Sequence, residues 1–381
     1  MCINLSILKK LIIFFVSICF GQSLLSQEEI NSFKPGKIWP DTDGNHINAH
    51  GGGILYDHGT YYWYGEHKGK KSKAQVGVRV YSSKDLYHWK NEGVALSVSQ
   101  DPNSEIVEGC IIERPKVVYN KKTNKYVMWF HLELKGQGYS AAKTAVAVCD
   151  NPIGPFKFLK SFRPNAGQWP IGCSEEIKNK TYSGESQTWW TPKWRKAVKE
   201  GMFVKRDFGK GQMARDMTLF VDDDGKAYHV HASEENQTLH ISELTDDYLN
   251  FTGKWARIIP GGQNEAPAIF KKGNYYYLIT SGLTGWAPNA ARSFRATNIW
   301  GPWESLGNPA VGDGSELTFK SQSTFVLPVV GKPSAYILMA DRWNPKNHID
   351  GRYIWLPIRF TNDKKPFIKW MNEWNLDWFK G

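Results

Sequence analysis

The chain of 381 residues is 41% hydrophobic, 22% charged and 14% aromatic, with 17 Trp, 17 Tyr and 19 Phe. That is enough apolar material for a large core, which excludes a disordered or fibrous chain. The 48 Lys and Arg outnumber the 37 Asp and Glu, for a net charge of +11. They are scattered, with no zinc-finger spacing, recognition-helix pattern or Arg-rich tail, so nucleic acid is a poor partner.

Met1–Ser26 has the layout of a secretory signal peptide: Lys9 and Lys10, the apolar run Leu11–Phe20, then a small-residue end at Gly21–Ser26. The apolar run is too short to serve as a membrane span. Cleavage takes two lysines and no acid, lowering the charge of +11 to +9, and sends the rest, 27–381, to the periplasm or the exterior. Lipidation at Cys19 is the rival reading; Ile18 stands where such a signal prefers a small residue. Of the five cysteines, Cys110, Cys149 and Cys173 remain. They have no ligand-like spacing and read as small buried residues.

From residue 50 onward one design recurs five times: a polar residue, a short apolar strand, a turn, then an aromatic strand. The copies are HGGGILYDHGTYYWYGE (50–66), ERPKVVYNKKTNKYVMWFH (113–131), DMTLFVDDDGKAYHVHA (216–232), EAPAIFKKGNYYYLITS (265–281) and QSTFVLPVVGKPSAYILMAD (322–341). Each reads as a β-hairpin, and further short strands follow at 75–83, 143–150, 238–244 and 289–296. No long amphipathic helical pattern intervenes. Five antiparallel units repeating around an axis predict an all-β, five-bladed β-propeller forming a single domain. Residues 166–212 do not fit the repeat. They read as an elaborated loop with a short helix near Pro192–Lys199, and a loop that long usually has a task.

The phase of the repeat points to a site. His50, Glu113, Asp216, Glu265 and Gln322 each stand four residues before an apolar strand residue (Ile54, Val117, Phe220, Ile269 and Val326). If the first strand of each blade is innermost, these five ring the mouth of the central channel. Three carboxylates there suit acid/base hydrolysis of a sugar, with one acid kept protonated by its neighbours' charge. Capping of a loop, or pairing with Arg114 or Arg215, is the bland alternative for any one of them. Trp286 and Trp343 are candidates to stack on a sugar ring, and Glu66, Glu234, Arg342 and Arg352 to bind hydroxyls. Arg342 has a structural alternative, a bridge to Asp341 or Asp313. The triplet Asp222–Asp224 before Gly225 lacks the later ligands of a calcium loop and reads as a hairpin turn. His229 and His231 read as hydrogen-bonded core residues rather than metal ligands.

Over essentially all of 35–370 the chain resembles glycoside hydrolase family 43. The resemblance rests on YYWYGE, SSKDLYHW, ERPK (113–116), RDMTLFVDDDG (215–225), NEAPAIFKKGNYYYLITSG (264–282), SQSTFVLP (321–328) and MADRWNPKN (339–347), in that order. The last two, with NAHGGGILY (48–56), look like the branch of exo-β-1,3-galactanases and related arabinogalactan-degrading enzymes. The resemblance implies an inverting hydrolase with Glu265 as general acid and Asp216 as the residue that tunes and orients it. The family's first-blade Asp, its usual base, is replaced by His50–Gly51–Gly52. The branch's Glu and Gln fall on Glu113, a competent base, and Gln322, a residue to position water; an acid elsewhere, such as Asp43, stays open. His50 is then free to bind a sugar hydroxyl.

The expected activity is therefore exo-release of a terminal sugar, galactose first, from β-1,3-galactan or arabinogalactan, with 166–212 closing one end of the channel. An α-L-arabinofuranosidase and an inactive sugar-binding propeller are the alternatives. The expected partner is an oligo- or polysaccharide, including acidic or sulfated ones that a basic protein would attract. No cofactor is expected for the chemistry; a calcium or sodium ion on the axis would be structural or steady a site water.

Overall fold

The computed structural model describes residues 30–69 and 77–380; the signal-peptide segment lies outside the described residues. Five antiparallel sheets form the blades, and each runs from its first strand outward. The inner strands are His50–Asp57, Ile111–Asn120, Met217–Val221, Asn264–Lys272 and Gln322–Pro328. Each packs against the next, and the fifth packs against the first, so the ring closes as a five-bladed β-propeller.

Local sequence sets the hairpins. In blade one Asp57 faces Thr60 across a two-residue loop. His58 and Gly59 both take positive φ, 44° and 77°, as a type I′ turn demands. Aromatic residues fill the seams between blades. Trp63, Trp89 and Trp355 are buried with Phe33 and Trp374 between blades one and five, and Trp129 packs with Met217 and Leu219 between blades two and three. Each such side chain contributes about 1.5–3 kcal/mol of burial. Most of the tryptophans are therefore structural, whereas Trp286 is 55% exposed.

The outer edge of blade five is completed by Pro366–Lys369, which pairs in parallel with Ala310–Val311, a short strand from the blade-four connection. Before blade one and after blade five, Phe33 and Trp374 exchange two backbone hydrogen bonds, 2.7 and 3.1 Å, and stack at 4.4 Å between ring centroids. Cys110 is buried and Cys149 and Cys173 are partly so; all three are free thiols.

Residues 166–212 hold three helices, α1 (Glu175–Asn179), α2 (Pro192–Glu200) and α3 (Met202–Asp207). The short helix expected near Pro192–Lys199 is α2: Thr191 caps the Trp194 amide and Pro192 takes the first turn. Gly201, at φ 104°, ends α2. The insertion owns a small core of Trp194, Ala197, Val198, Met202 and Phe203.

Candidate active site

In three blades the predicted site residue is followed by one in the left-handed region: Gly51 (φ 61°), Arg114 (φ 55°) and Ala266 (φ 51°). In each case the register of the inner strand breaks just there, between His50 and Gly53, Glu113 and Lys116, and Glu265 and Ala268. Such bulges re-aim side chains, here toward the channel mouth. For a non-glycine residue that conformation costs about 1–3 kcal/mol, a strain typical of functional sites. Gly51 cannot be replaced for a second reason, since a Cβ there would lie 2.2 Å from Glu66 Oε1. Gly51→Ala should lower stability by about 1–3 kcal/mol, read as a drop in Tm.

Glu113, Asp216, Glu265 and Gln322 line one cavity of about 270 Å³ together with Glu66, Trp286 and Trp343. Arg114 organises it. Its Nε and Nη2 donate to the two Asp216 oxygens at 3.1 and 3.0 Å, and Nη2 also reaches Gln322 Oε1 at 2.5 Å. The Ala266 amide adds a third donor to Asp216, at 3.0 Å, so the carboxylate is fixed beside Glu265. Burial, reinforced by the nearby Asp216 charge, pushes the Glu265 carboxyl up to about 8. It is a neutral acid at pH 7. Asn236 donates to its Oε1 at 2.7 Å and sets its rotamer.

Glu113 behaves in the opposite way. Burial pushes it up, but the His131 hydrogen bond, the Lys68 charge and the Tyr139 hydroxyl outweigh this and hold it at about 2. Tyr139 donates to Oε1 at 2.8 Å, and His131 Nδ1 lies 3.3 Å from Oε2. His131 is itself buried, which disfavours its charge, but Glu113 and Glu133 raise it to about 9. The pocket thus holds one neutral and one firmly ionised carboxyl group, the division of labour that acid/base glycoside hydrolysis requires.

Gln322 is fixed at both ends of its amide. Its oxygen accepts from Arg114 and, at 3.4 Å, from Trp343 Nε1, and its nitrogen donates to Ser281 Oγ at 2.9 Å. The Trp343 ring meets Trp286 edge to face at 5.9 Å, and the Arg114 guanidinium lies 5.6 Å from its centroid. These two indoles wall one side of the cavity.

Other expected residues lie elsewhere. His50 is fully buried, packed 5.3 Å from Tyr353 and 5.2 Å from Trp343. It supports the Trp343 platform from behind rather than meeting a sugar hydroxyl, because Trp343 and the closely packed Gly351 backbone cover its ring. Glu66 lines the cavity but is spent on the Arg114 amide (3.0 Å) and Lys68 Nζ (2.5 Å). Glu234 is a buried structural anion that takes Arg257 and His240. Arg342 donates to the Phe319 carbonyl at 2.8 Å, so neither it nor the expected bridge to Asp341 or Asp313 serves the site. Arg352 pairs with Asp350. Asp43 sits exposed in a turn whose amide is held by Asp41, off the cavity. His229 and His231 are buried and bonded to each other at 2.9 Å.

The insertion 166–212 contributes nothing to the cavity lining, contrary to its expected role in closing the channel. Arg257 explains where it went: its guanidinium donates to Val198 O and Lys199 O in the last turn of α2, at 2.7 and 2.9 Å. The helices are thereby fastened to the outer strand of blade three. Sequence reasoning missed Arg114 as the hub, and Asn236, Tyr139 and His131 as partners of the two acids.

Glu113, His131 and Asp216 place one potential ligand atom each within 4.8 Å of one another. As donors they fit a cation poorly. Asp216 is taken by Arg114, and His131, raised to about 9, keeps its proton and has no lone pair to offer at neutral pH.

The sequence pattern of Glycosyl hydrolases family 43 matches residues 187–324. A family-43 β-1,3-galactosidase, solved with galactodeoxynojirimycin, is 56% identical and superposes with a TM-score of 0.88 over 90% of this chain and 100% of that one. The chain belongs to glycosyl hydrolase family 43. An exo-β-1,3-galactanase from Clostridium thermocellum is 36% identical over 90% of this chain and 66% of that one, with a TM-score of 0.73. A β-xylosidase of Bacillus subtilis (strain 168) is 28% identical over 142 residues, 31% of this chain. The match spans 27% of that xylosidase's length.

Proposed function

We propose that the protein is an exo-acting, inverting glycoside hydrolase that releases terminal galactose from β-1,3-galactan or the main chain of arabinogalactan. The observation that carries the reading is the Glu265 acid, kept neutral to about pH 8 beside an ion-paired Asp216, in a chain 56% identical to a β-1,3-galactosidase. Glu265 gives its proton to the glycosidic oxygen as the bond to the anomeric carbon breaks. Water attacks the opposite face and loses its proton to Glu113. With its usual affinity for protons so low, Glu113 accepts this one late, when the attacking water has become strongly acidic in an oxocarbenium-like transition state. Gln322, its amide already oriented, holds that water. Asp216 keeps the acid's proton in place by repulsion.

Trp286 and Trp343 offer the terminal sugar a stacking wall, and we assign exo action to the loops that carry them. No cofactor takes part in the proposed chemistry. Lys9, Lys10 and the Leu11–Phe20 run support export, and the basic charge favours approach to uronate- or sulfate-bearing polysaccharide.

Time-resolved chromatography on β-1,3-galactobiose, galactotriose, debranched arabinogalactan and arabinofuranosyl-decorated substrates tests this. Galactose should appear one unit at a time. Arabinose alone would move the specificity to an α-L-arabinofuranosidase, and silence across the panel with a folded protein would favour a binding role. Two variants refine the roles. Glu113→Gln removes a like charge that helps to raise Glu265, so the residual activity should lose its basic limb at lower pH than the parent. Asn236→Ala removes a donor to the ionised form of Glu265, moving that limb upward, with a kcat loss of about tenfold.

A further inference from the structure

The insertion that does not reach the active site carries a second cavity, of about 410 Å³, which shares no residue with the first. Trp189 lines it and Trp190 stands beside Trp189, the two 47% and 49% exposed with ring centroids 5.9 Å apart. Both are seated from below by the buried Trp194, at 4.9 and 5.0 Å. Large aromatics that fill seams elsewhere in this protein are here turned outward on a rigid base.

The cavity is also polar in a particular way. The Tyr182 hydroxyl is buried at its wall and meets no hydrogen-bond partner, which is unfavourable unless a ligand or water satisfies it. Gln187 and Lys205 supply further donors; Lys205 Nζ spends one proton on the Lys180 carbonyl at 2.5 Å and meets no carboxylate among the described residues. Flat indole faces ringed by hydroxyl and amine donors match a pyranose, which presents C–H bonds on one face and oxygen acceptors around its edge. An apolar protein surface would leave Tyr182 and Lys205 unsatisfied. The mount is stiff as well, because Arg206 of α3 pairs with Glu235 at 2.9 Å, and Arg257 holds α2.

We propose that Trp189, Trp190 and Tyr182 form a noncatalytic seat for the polysaccharide chain, which holds the polymer while its end is processed elsewhere on the same propeller. The seat rests on the galactan reading for the identity of its ligand. It adds affinity for long chains through a second point of attachment and leaves the turnover of short substrates untouched.

The test uses the full protein. In native gels containing debranched arabinogalactan, Glu265→Gln protein should be retarded, and adding Trp189→Ala with Trp190→Ala should cut the retardation to what the active site alone sustains. In the active protein the same pair should raise KM for the polymer by on the order of tenfold while galactobiose kinetics stay within experimental error. Tyr182→Phe keeps the ring and the local packing, and should weaken retardation in the same direction. Retardation undiminished by both changes overturns the proposal, as does a parallel loss of galactobiose hydrolysis. A dimer in sedimentation that the Trp pair variant dissolves also overturns it, by assigning the face to a second copy. Failure of the galactan reading is separable: it appears as no galactose from any substrate, whatever the gels show.

Discussion

Glu265→Gln should reduce hydrolysis of galactobiose and polymer by about 10²–10⁴-fold and leave binding of the same sugars intact. The amide keeps the shape and the hydrogen bond from Asn236 but has no proton to give the leaving oxygen. The parent's pH profile carries the same information. Glu265 works in its protonated form and titrates at about 8, so kcat/KM should be level through neutrality and fall as pH rises past that value. Glu113, held at about 2, stays ionised over the whole range and adds no limb near neutrality. Gln at 265 should erase the basic fall together with the rate. A variant that hydrolyses normally would place the acid at another residue.

Arg114→Met should be nearly as damaging, for a different reason. Its guanidinium neutralises Asp216, anchors Gln322 and donates to the Ser323 carbonyl at 3.2 Å. Methionine fills much of its volume but leaves the Asp216 carboxylate next to Glu265 without its counter-charge. Breaking one side of a buried pair costs about 3–5 kcal/mol, which should appear as a lower denaturant midpoint. Catalysis should fall by at least about 10²-fold as Asp216 and the Gln322 amide lose their orientation. With the cation gone, repulsion at Glu265 grows, and any residual activity should persist to higher pH. Lysine restores charge without the two-pronged geometry, so Arg114→Lys should recover stability better than rate. Equal recovery of both would mean that the fork itself does not matter.

The architecture was readable because it is repetitive: five hairpins at one phase place their leading residues at one end of a ring, and Glu113, Asp216, Glu265 and Gln322 share a cavity as that phase implies. His50 broke the pattern: Gly51 after it bends the strand as in two other blades, but Trp343 and Gly351 cover the histidine and leave it in the core. Arg114 and Ala266 adopt the same conformation with no glycine to announce it. Asn236 lies in a hairpin loop of blade three and touches an acid of blade four, a pairing created only when the blades assemble. Glu234, its near neighbour, looked equally promising until Arg257 claimed it. The insertion was recognised as exceptional, with the short helix expected near Pro192–Lys199 present as α2. Its direction was not, because that depends on a distant arginine that caps α2.

The backbone pairing of Phe33 with Trp374 has a kinetic consequence. The two residues lie more than 300 positions apart, so their contact is among the last for which the chain can offset the loss of loop entropy. Every other seam joins blades that follow one another along the chain, whereas blades one and five come from opposite ends of it and are closed by this latch. Refolding should therefore show a late, slow step that restores the fluorescence of the buried indoles between those blades, and Trp374→Ala should speed unfolding far more than it slows the early collapse.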